Sequence, residues 1–227
     1  MEKAVILLSG GLDSTVCMAV ARSRGMEVYP ISFNYHQRHN IELESAKKVA
    51  EFYKIKKHLI IETNMEEIGG SALTDNDIEV PNGDFSHGAE DIPITYVPAR
   101  NMIFLSYAMA YAEVIGADHV FIGVNAVDYS GYPDCRPEFI SSFQKTANLA
   151  TKAGTADGRH ITIETPLQKL SKREIIQLGN KLGAPLQFTH SCYKGGAKAC
   201  GICDSCKLRL RGFAEAGLVD PVEYETM

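Results

Sequence analysis

Two stretches of this 227-residue chain gather residue types that could do chemistry: Ser9-Gly10-Gly11-Leu12-Asp13-Ser14 near the start, and Cys192, Cys200, Cys203 and Cys206 near the end. In the first, an apolar run from Ala4 to Leu8 feeds adjacent glycines and then a helical pattern. Backbone N–H groups in such a turn, and in the first turn of a helix, lack intrahelical acceptors. With the helix dipole they attract anions, phosphate above all. Ser9 and Ser14 add hydroxyl donors, and Asp13 adds a carboxylate that could help place Mg2+. In the second stretch the spacing is Cys-x7-Cys-x2-Cys-x2-Cys. Zinc takes four thiolates tetrahedrally in structural sites, and Cys-x2-Cys turns deliver two ligands to one ion.

Each pattern is narrowed by what it lacks. A Walker A loop needs four residues between its glycines and then Lys-Ser or Lys-Thr, and a dinucleotide fingerprint needs Gly-x-Gly-x-x-Gly. Neither is present, so the competing reading is an ordinary strand-to-helix turn capped by Asp13 or Ser14. For the cysteines, disulfides are disfavoured in a cytoplasmic chain, and a redox Cys-x-x-Cys belongs near the start of a thioredoxin-like fold. An iron–sulfur cluster uses the same four-thiolate ligation. With every position on a zinc ion filled by protein, the metal is expected to be structural, folding a segment too short to bury its own core. Cys135 stands apart and reads as an ordinary loop cysteine, and Cys17 as a small core residue.

The elements that must position these residues follow from periodicity. Strands are expected at the apolar run ending at Leu8, at 28–33, 58–62, 119–124 and 161–164, alternating with helices at 12–24, 40–53, 102–115, 137–153 and 172–182. Pro30 is unfavourable for a central strand. Ser171 to Glu174 has the form of a capping box. This alternation specifies an α/β fold, a mostly parallel five-stranded sheet flanked by helices. The α/β domain is placed at residues 1–187 and a zinc-binding segment with its tail at 188–227. From 63 to 98 the pattern breaks down, and a long irregular stretch reads as a lid or dimer-contact loop. Arg100 and Asn101 fall at a helix N-terminus, where a cation gains nothing from the dipole, which suggests a nearby anion. Lys172 could reach a phosphate. The segment 125–139, dense in carboxylates and aromatics with one arginine, suits a flat hydrogen-bonding heterocycle.

Composition sets bounds. Apolar residues make up 45%, enough for a well-buried core. No run is long enough for a membrane span and no signal-peptide pattern opens the chain, so a cytoplasmic enzyme is expected. A formal net charge of −5 argues against broad nucleic-acid binding, although Lys194, Lys198, Lys207, Arg209 and Arg211 form a local basic patch around the cysteines.

The loop resembles that of the N-type ATP pyrophosphatases. Four stretches, from Leu8 to Cys17, Tyr96 to Asn101, Gly123 to Phe139 and His190 to Phe213, together resemble the 7-cyano-7-deazaguanine synthases over almost the full length. The resemblance implies a Rossmann-like, adenine nucleotide alpha hydrolase-like fold and a C–N bond-forming ligase of queuosine precursor synthesis. In such an enzyme, 7-carboxy-7-deazaguanine attacks the α-phosphate of ATP, ammonia displaces AMP to give the amide, and a second ATP drives formation of the nitrile. It implies ATP, Mg2+ and one structural Zn2+ as cofactors and a homodimer, with no membrane partner. The alternatives are a tRNA thiolase or another adenylating amidotransferase with the same loop. The ATP stretch would be Leu8, Ser9, Gly10, Gly11, Leu12, Asp13, Ser14, Thr15, Val16, Cys17 and Met18. Ser9, Asp13, Ser14 and Arg100 would act in catalysis. Asn101, Asn125, Asp128, Tyr129, Asp134, Arg136 and Phe139 are the candidates for binding the deazaguanine.

Overall fold

The computed structural model describes residues 1–35, 41–75, 77–81, 92–125 and 131–225. Five strands, β1 (Lys3–Leu7), β2 (Glu27–Asn34), β3 (Leu59–Glu62), β4 (His119–Phe121) and β5 (Thr162–Glu164), form one sheet in the order β3-β2-β1-β4-β5. Every described pairing in it is parallel. A parallel sheet is buried on both faces, so its strands read as continuous apolar runs. In β1, Val5 and Leu7 enter one core and Ala4 and Ile6 the other.

The first core lies under α3 (Arg100–Ile115) and α4 (Pro137–Ala150). The second lies under α1 (Leu12–Ser23), α2 (Ile41–Phe52), α6 (Lys172–Lys181) and the start of the packing with α7 (Asp204–Ala216). The helix expected at 137–153 breaks. Thr151 is extended, and a short α5 (Lys152–Thr155) follows, its Ala153 N–H held 2.8 Å from Glu113 Oε2 on α3. The capping box forms in full: the Ser171 side chain accepts the Glu174 N–H, and Glu174 accepts the Ser171 N–H.

Pro30 sits in β2 between two neighbours, and the register explains how. Ile31 accepts from Leu8 N–H (2.9 Å) and Glu27 N–H reaches Glu2 (2.8 Å), so odd-numbered residues of β2 turn their polar groups to β1. Pro30 therefore faces the β3 side, where pairing starts only at Ile31 with Leu59. Its missing N–H falls just before that ladder begins, so no hydrogen bond is lost.

The chain runs from β1 outward to β2 and β3, then crosses back to place β4 on the other side of β1. The order reverses between β1 and β4. In open parallel sheets the crevice at the carboxyl ends of such strands is where ligands bind. The Ser9–Ser14 turn leaves β1 at that point. The irregular segment 63–98 has a short 3-10 turn, Met65–Glu67, and its described ends bring Leu73, Thr95, Tyr96 and Val97 to the same crevice. Its residues 76 and 82–91 lie outside the described residues, as do Asp128 and Tyr129. Among the described residues no helix is long and apolar enough to cross a membrane.

Candidate active site

Gly10 makes the turn possible. It adopts φ +84°, and a Cβ there would stand 2.1 Å from the Glu42 carbonyl and 2.7 Å from Ala46 N at the start of α2. Only glycine fits both demands. Gly11 is the N-cap of α1, with its carbonyl accepting from Thr15 N–H, Ser14 Oγ (3.0 Å) and Thr15 Oγ1 (2.9 Å). Ser9 Oγ lies 3.1 Å from Ser14 Oγ and accepts the Gly11 N–H at 3.3 Å. The N–H groups of Leu12, Asp13 and Ser14 belong to the first helical turn, where the helix itself offers no acceptor. Gly123, after β4, approaches so closely that a Cβ would meet Ser14 N at 3.0 Å.

Asp13 is gripped from two distant segments. Lys172 Nζ donates to both its oxygens, at 2.9 and 2.7 Å, and Asn125 Nδ2 donates to Oδ2 at 2.9 Å. The lysine weighed as a phosphate ligand is thus also the counter-ion of the loop carboxylate. Asp13 keeps a lone-pair site beyond these three bonds, so it fits a magnesium ion that is bound by one carboxylate plus phosphate oxygens.

Across the cleft, α3 begins at Arg100 behind Ala99, a non-glycine residue at φ +56°. Asn101 N–H donates to Asp134 Oδ2 (2.9 Å), and Asn101 Nδ2 reaches Cys135 Sγ (3.2 Å). A carboxylate therefore sits on the positive end of the helix dipole. Burial raises the Asp134 pKa, opposed by the Asn101 N–H and by Arg100. Burial pulls Arg100 down, yet Tyr35, Asp134 and Cys135 outweigh it and hold the guanidinium charged. Asp134 and Glu42 are the carboxyl groups of the protein itself that interact with this cation.

These groups line one cleft of ≈ 270 Å3. Its walls include Leu8, Ser9, Gly11, Leu12, Asp13 and Ser14 on one side and Arg100, Asn101, Asp134, Cys135 and Tyr132 on the other, with Lys172 and His190 between. Gly10 lies behind the loop against α2, and Thr15, Val16, Cys17 and Met18 are wholly buried in the core beneath it. Burial, reinforced by Asp13, raises the Cys17 thiol well above its usual value, which keeps it inert. Asn125 is buried and reaches the cleft through Asp13. Arg136 caps α4 on the outside, and Phe139 packs against the first core beside Phe143, so neither lines the cleft. Sequence reasoning missed Ser32, Glu42, Thr95 and His190, which do. Only His190, two residues before a cysteine ligand, carried any local signal.

The four cysteines converge. Cys192, Cys200, Cys203 and Cys206 are all buried, with sulfur atoms within 4.8 Å of one another. Tetrahedral zinc at about 2.3 Å from each sulfur needs edges of about 3.8 Å, so the set fits such an ion after a small contraction. Backbone N–H groups already point at sulfur: Cys200 N to Cys192 Sγ (3.3 Å), Cys203 N to Cys200 Sγ (3.4 Å) and Ile202 N to Cys200 Sγ (3.5 Å). Hydrogen bonds from Cys203 and Cys206 push Cys192 toward thiolate, and the same contact with Cys192 raises Cys203 to about 11. Sulfurs so close cannot all ionise without a cation among them. The cluster is a metal site.

A parallel sheet with a glycine loop at its reversal point defines a protein of the adenine nucleotide alpha hydrolase-like class, here with a four-cysteine metal site appended. Solved structures of that fold include an NMN synthetase from Francisella tularensis (TM-score 0.50, 16% identity, 96% of this chain and 87% of that one). Another is a predicted subunit of tRNA methyltransferase from Methanocaldococcus jannaschii (TM-score 0.50, 16% identity, 79% and 75%). Residues 3–217 match the family model described as queuosine biosynthesis protein QueC, and the chain belongs to that family. Relatives include the 7-cyano-7-deazaguanine synthases of Desulfitobacterium hafniense (61% identical, 99% of this chain and 94% of the relative) and Thermoplasma acidophilum (56%, 99% and 92%).

Proposed function

We propose that the protein is an ATP-dependent ligase that converts 7-carboxy-7-deazaguanine and ammonia into 7-cyano-7-deazaguanine, a step in queuosine precursor synthesis. One observation carries the reading: a prebuilt phosphate loop and an Arg100–Asn101–Asp134 wall face each other across a single cleft. The loop N–H groups of Leu12 to Ser14, with Ser9 and Ser14 hydroxyls and Lys172, hold the β and γ phosphates as leaving group. Asp13 would hold Mg2+, which neutralises charge as pyrophosphate departs. Arg100, a charged guanidinium lining the cleft, pairs with the substrate carboxylate. Asn101, Asn125 and Asp134 serve the polar edge of the ring, with Tyr132 beside it. Asp128 and Tyr129 keep their proposed role on sequence grounds, whereas the positions of Arg136 and Phe139 weigh against direct contact.

The carboxylate oxygen attacks the α-phosphorus, and the bond to pyrophosphate breaks. Ammonia nitrogen then attacks the acyl carbon. A C–N bond forms, the C–O bond to AMP breaks with its electron pair leaving on AMP, and the surplus proton passes to water. The amide oxygen repeats the attack on a second ATP and displaces pyrophosphate; the C–O bond then breaks with its electron pair leaving on AMP, the two amide N–H protons pass to water, and the nitrile remains.

We assign zinc to the cysteine cluster, since four thiolates in a closed set suit that ion and leave no position for substrate. The exposed apolar residues Met102, Tyr107 and Val114 on α3 support a homodimer. A cytoplasmic location suits a biosynthetic enzyme. The test is to supply ATP, ammonium and the 7-carboxy compound and to follow products by mass. Nitrile with AMP is expected. Amide alone would make the protein an amidating synthetase, and no consumption of the acid would remove the substrate assignment.

A further inference from the structure

A hydroxyl is buried among the apolar residues of β2. Ser32 stands between Ile31 and Phe33, only 2% exposed, and one step along the register from the Leu7–Ile31 pair it comes beside Leu8. Its Oγ donates to the carbonyl of Leu8, the residue just before the phosphate loop. The same oxygen lies 2.7 Å from Nε2 of His58, which precedes β3. Ser32 pairs with Ile60, so His58, two residues earlier, falls on the same face of the sheet.

A carbonyl has no hydrogen to give, so the Ser32 hydroxyl hydrogen is spent on Leu8. Nε2 of His58 must then carry the N–H that Ser32 accepts. Burial and Lys47 on α2 lower the His58 pKa, which keeps the ring neutral with its other nitrogen as an acceptor. The donors therefore run one way, from His58 through Ser32 to Leu8. That carbonyl belongs to a trans peptide, in which the Ser9 N–H points opposite to it. Holding the Leu8 carbonyl on Ser32 fixes the plane of the Leu8–Ser9 peptide and with it the direction of the Ser9 N–H. Ser9 is exposed and lines the cleft, and its N–H has no acceptor among the described residues. Ser32 also lines the cleft, whereas His58 does not.

We propose that His58 is a positioning residue of the phosphate loop, acting through Ser32 on the Leu8–Ser9 peptide to set the Ser9 N–H for a nucleotide phosphate. The assignment rests on the ATP-dependent function above. His58→Phe keeps a ring and removes the donor, Ser32→Ala removes a single oxygen, and His58→Gln returns an N–H near the Nε2 position.

The test is a double-mutant cycle on the full chain, read as the Kd for ATP with Mg2+ by titration calorimetry. His58→Phe and Ser32→Ala should each weaken binding about fivefold, as for one lost hydrogen bond. The double variant should bind no more than about twofold worse than either, and His58→Gln should stay within about twofold of wild type. Single variants that both bind within about twofold of wild type overturn the assignment, as do losses that multiply in the double variant. So does a fall in the number of sites per chain with Kd unchanged, which is what a merely structural role would give. Should His58→Phe fail to fold, Ser32→Ala and His58→Gln decide by the same limits. Wild-type protein that binds no ATP overturns the ATP-dependent function and this role together, whereas wild type and variants that bind ATP equally well overturn this role alone.

Discussion

Gly10 to Ser14 leans on the rest of the protein, whereas Cys192 to Cys206 leans mainly on itself. The loop is clamped by α2 behind Gly10, by Gly123 beside Ser14, and by Lys172 and Asn125 on Asp13. Its ligand meets groups already in place. The cysteines have a small cluster of their own with Ala199, Tyr193, Val222 and Tyr224, closed by the Ala199–Tyr224 bridge. So small an apolar cluster contributes little by itself, and the zinc we assign to it would supply what the packing of α7 on the second core does not. Preorganisation comes from the sheet in one region and from an ion in the other.

The largest effect expected from that contrast falls on the cysteines. Cys203 has no exposed surface, and Cys203→Ser should lose the metal and unfold the tail together. Apparent binding energies of structural zinc run to about 10–16 kcal/mol, far beyond what local contacts here could replace. Metal content, with protease sensitivity of residues 188–225, reads the outcome. A stable, metal-free and active variant would break the comparison, because the cluster would then lean on the domain as the loop does.

Next comes the seam between the two regions. Arg209 on α7 is 3% exposed and donates to Asp220 at 2.7 and 2.9 Å, to Thr189 Oγ1 at 2.7 Å and to the Leu186 carbonyl at 3.3 Å. It thereby ties the tail to the strand of chain that carries His190. Removing one partner of a buried ion pair leaves the other charge unpaired, at about 3–5 kcal/mol. Arg209→Ala should lower stability by that amount in a urea titration, with loss of activity beyond the unfolded fraction as His190 loosens. An unaltered denaturation midpoint would show the regions to be uncoupled.

Gly10→Ala tests the loop's dependence on its neighbours. The left-handed backbone costs about 1–2 kcal/mol with a side chain, and forcing a methyl against the Glu42 carbonyl adds about 1–3. We expect a stability loss of about 2–5 kcal/mol, measured by thermal melting, and near-abolished ATP–pyrophosphate exchange with metal content unchanged.

These variants also mark what the sequence made legible. The loop and the cysteine set are each written in a few adjacent residues, so their spacing points to an anion-binding turn and a metal site before any tertiary contact is known. The parallel sheet follows from apolar runs alternating with helical periods. What stayed hidden depends on contacts between remote parts of the chain. Asp13 and Lys172 are 159 residues apart, and Asn101 and Asp134 are 33 apart. Glu42 looks like any first-turn acid of a surface helix until the sheet places it behind Gly10. Arg136 and Phe139 differ in the opposite sense: their types suit the site, but α4 begins there and neither lines the cleft.

The smallest effect separates holding the loop from holding the helix that holds it. Ser171 accepts from Glu174 N–H and is followed by Lys172, the first residue of α6 and the counter-ion of Asp13. Ser171→Ala removes a cap worth about 1 kcal/mol. The Lys172–Asp13 pair is mostly shielded, with side-chain exposures of 17% and 21%, and the body of α6 stays fixed by fully buried Ile175 and Ile176. Fraying of the first turn should therefore cost stability without moving the lysine far. We expect about 1 kcal/mol less stability, and a KM for ATP raised no more than about threefold. A much larger rise would mean that the loop's preorganisation is carried through Lys172 and the α6 cap rather than by the sheet and α2. The loop would then depend on one remote helix end, much as the cysteines depend on one ion.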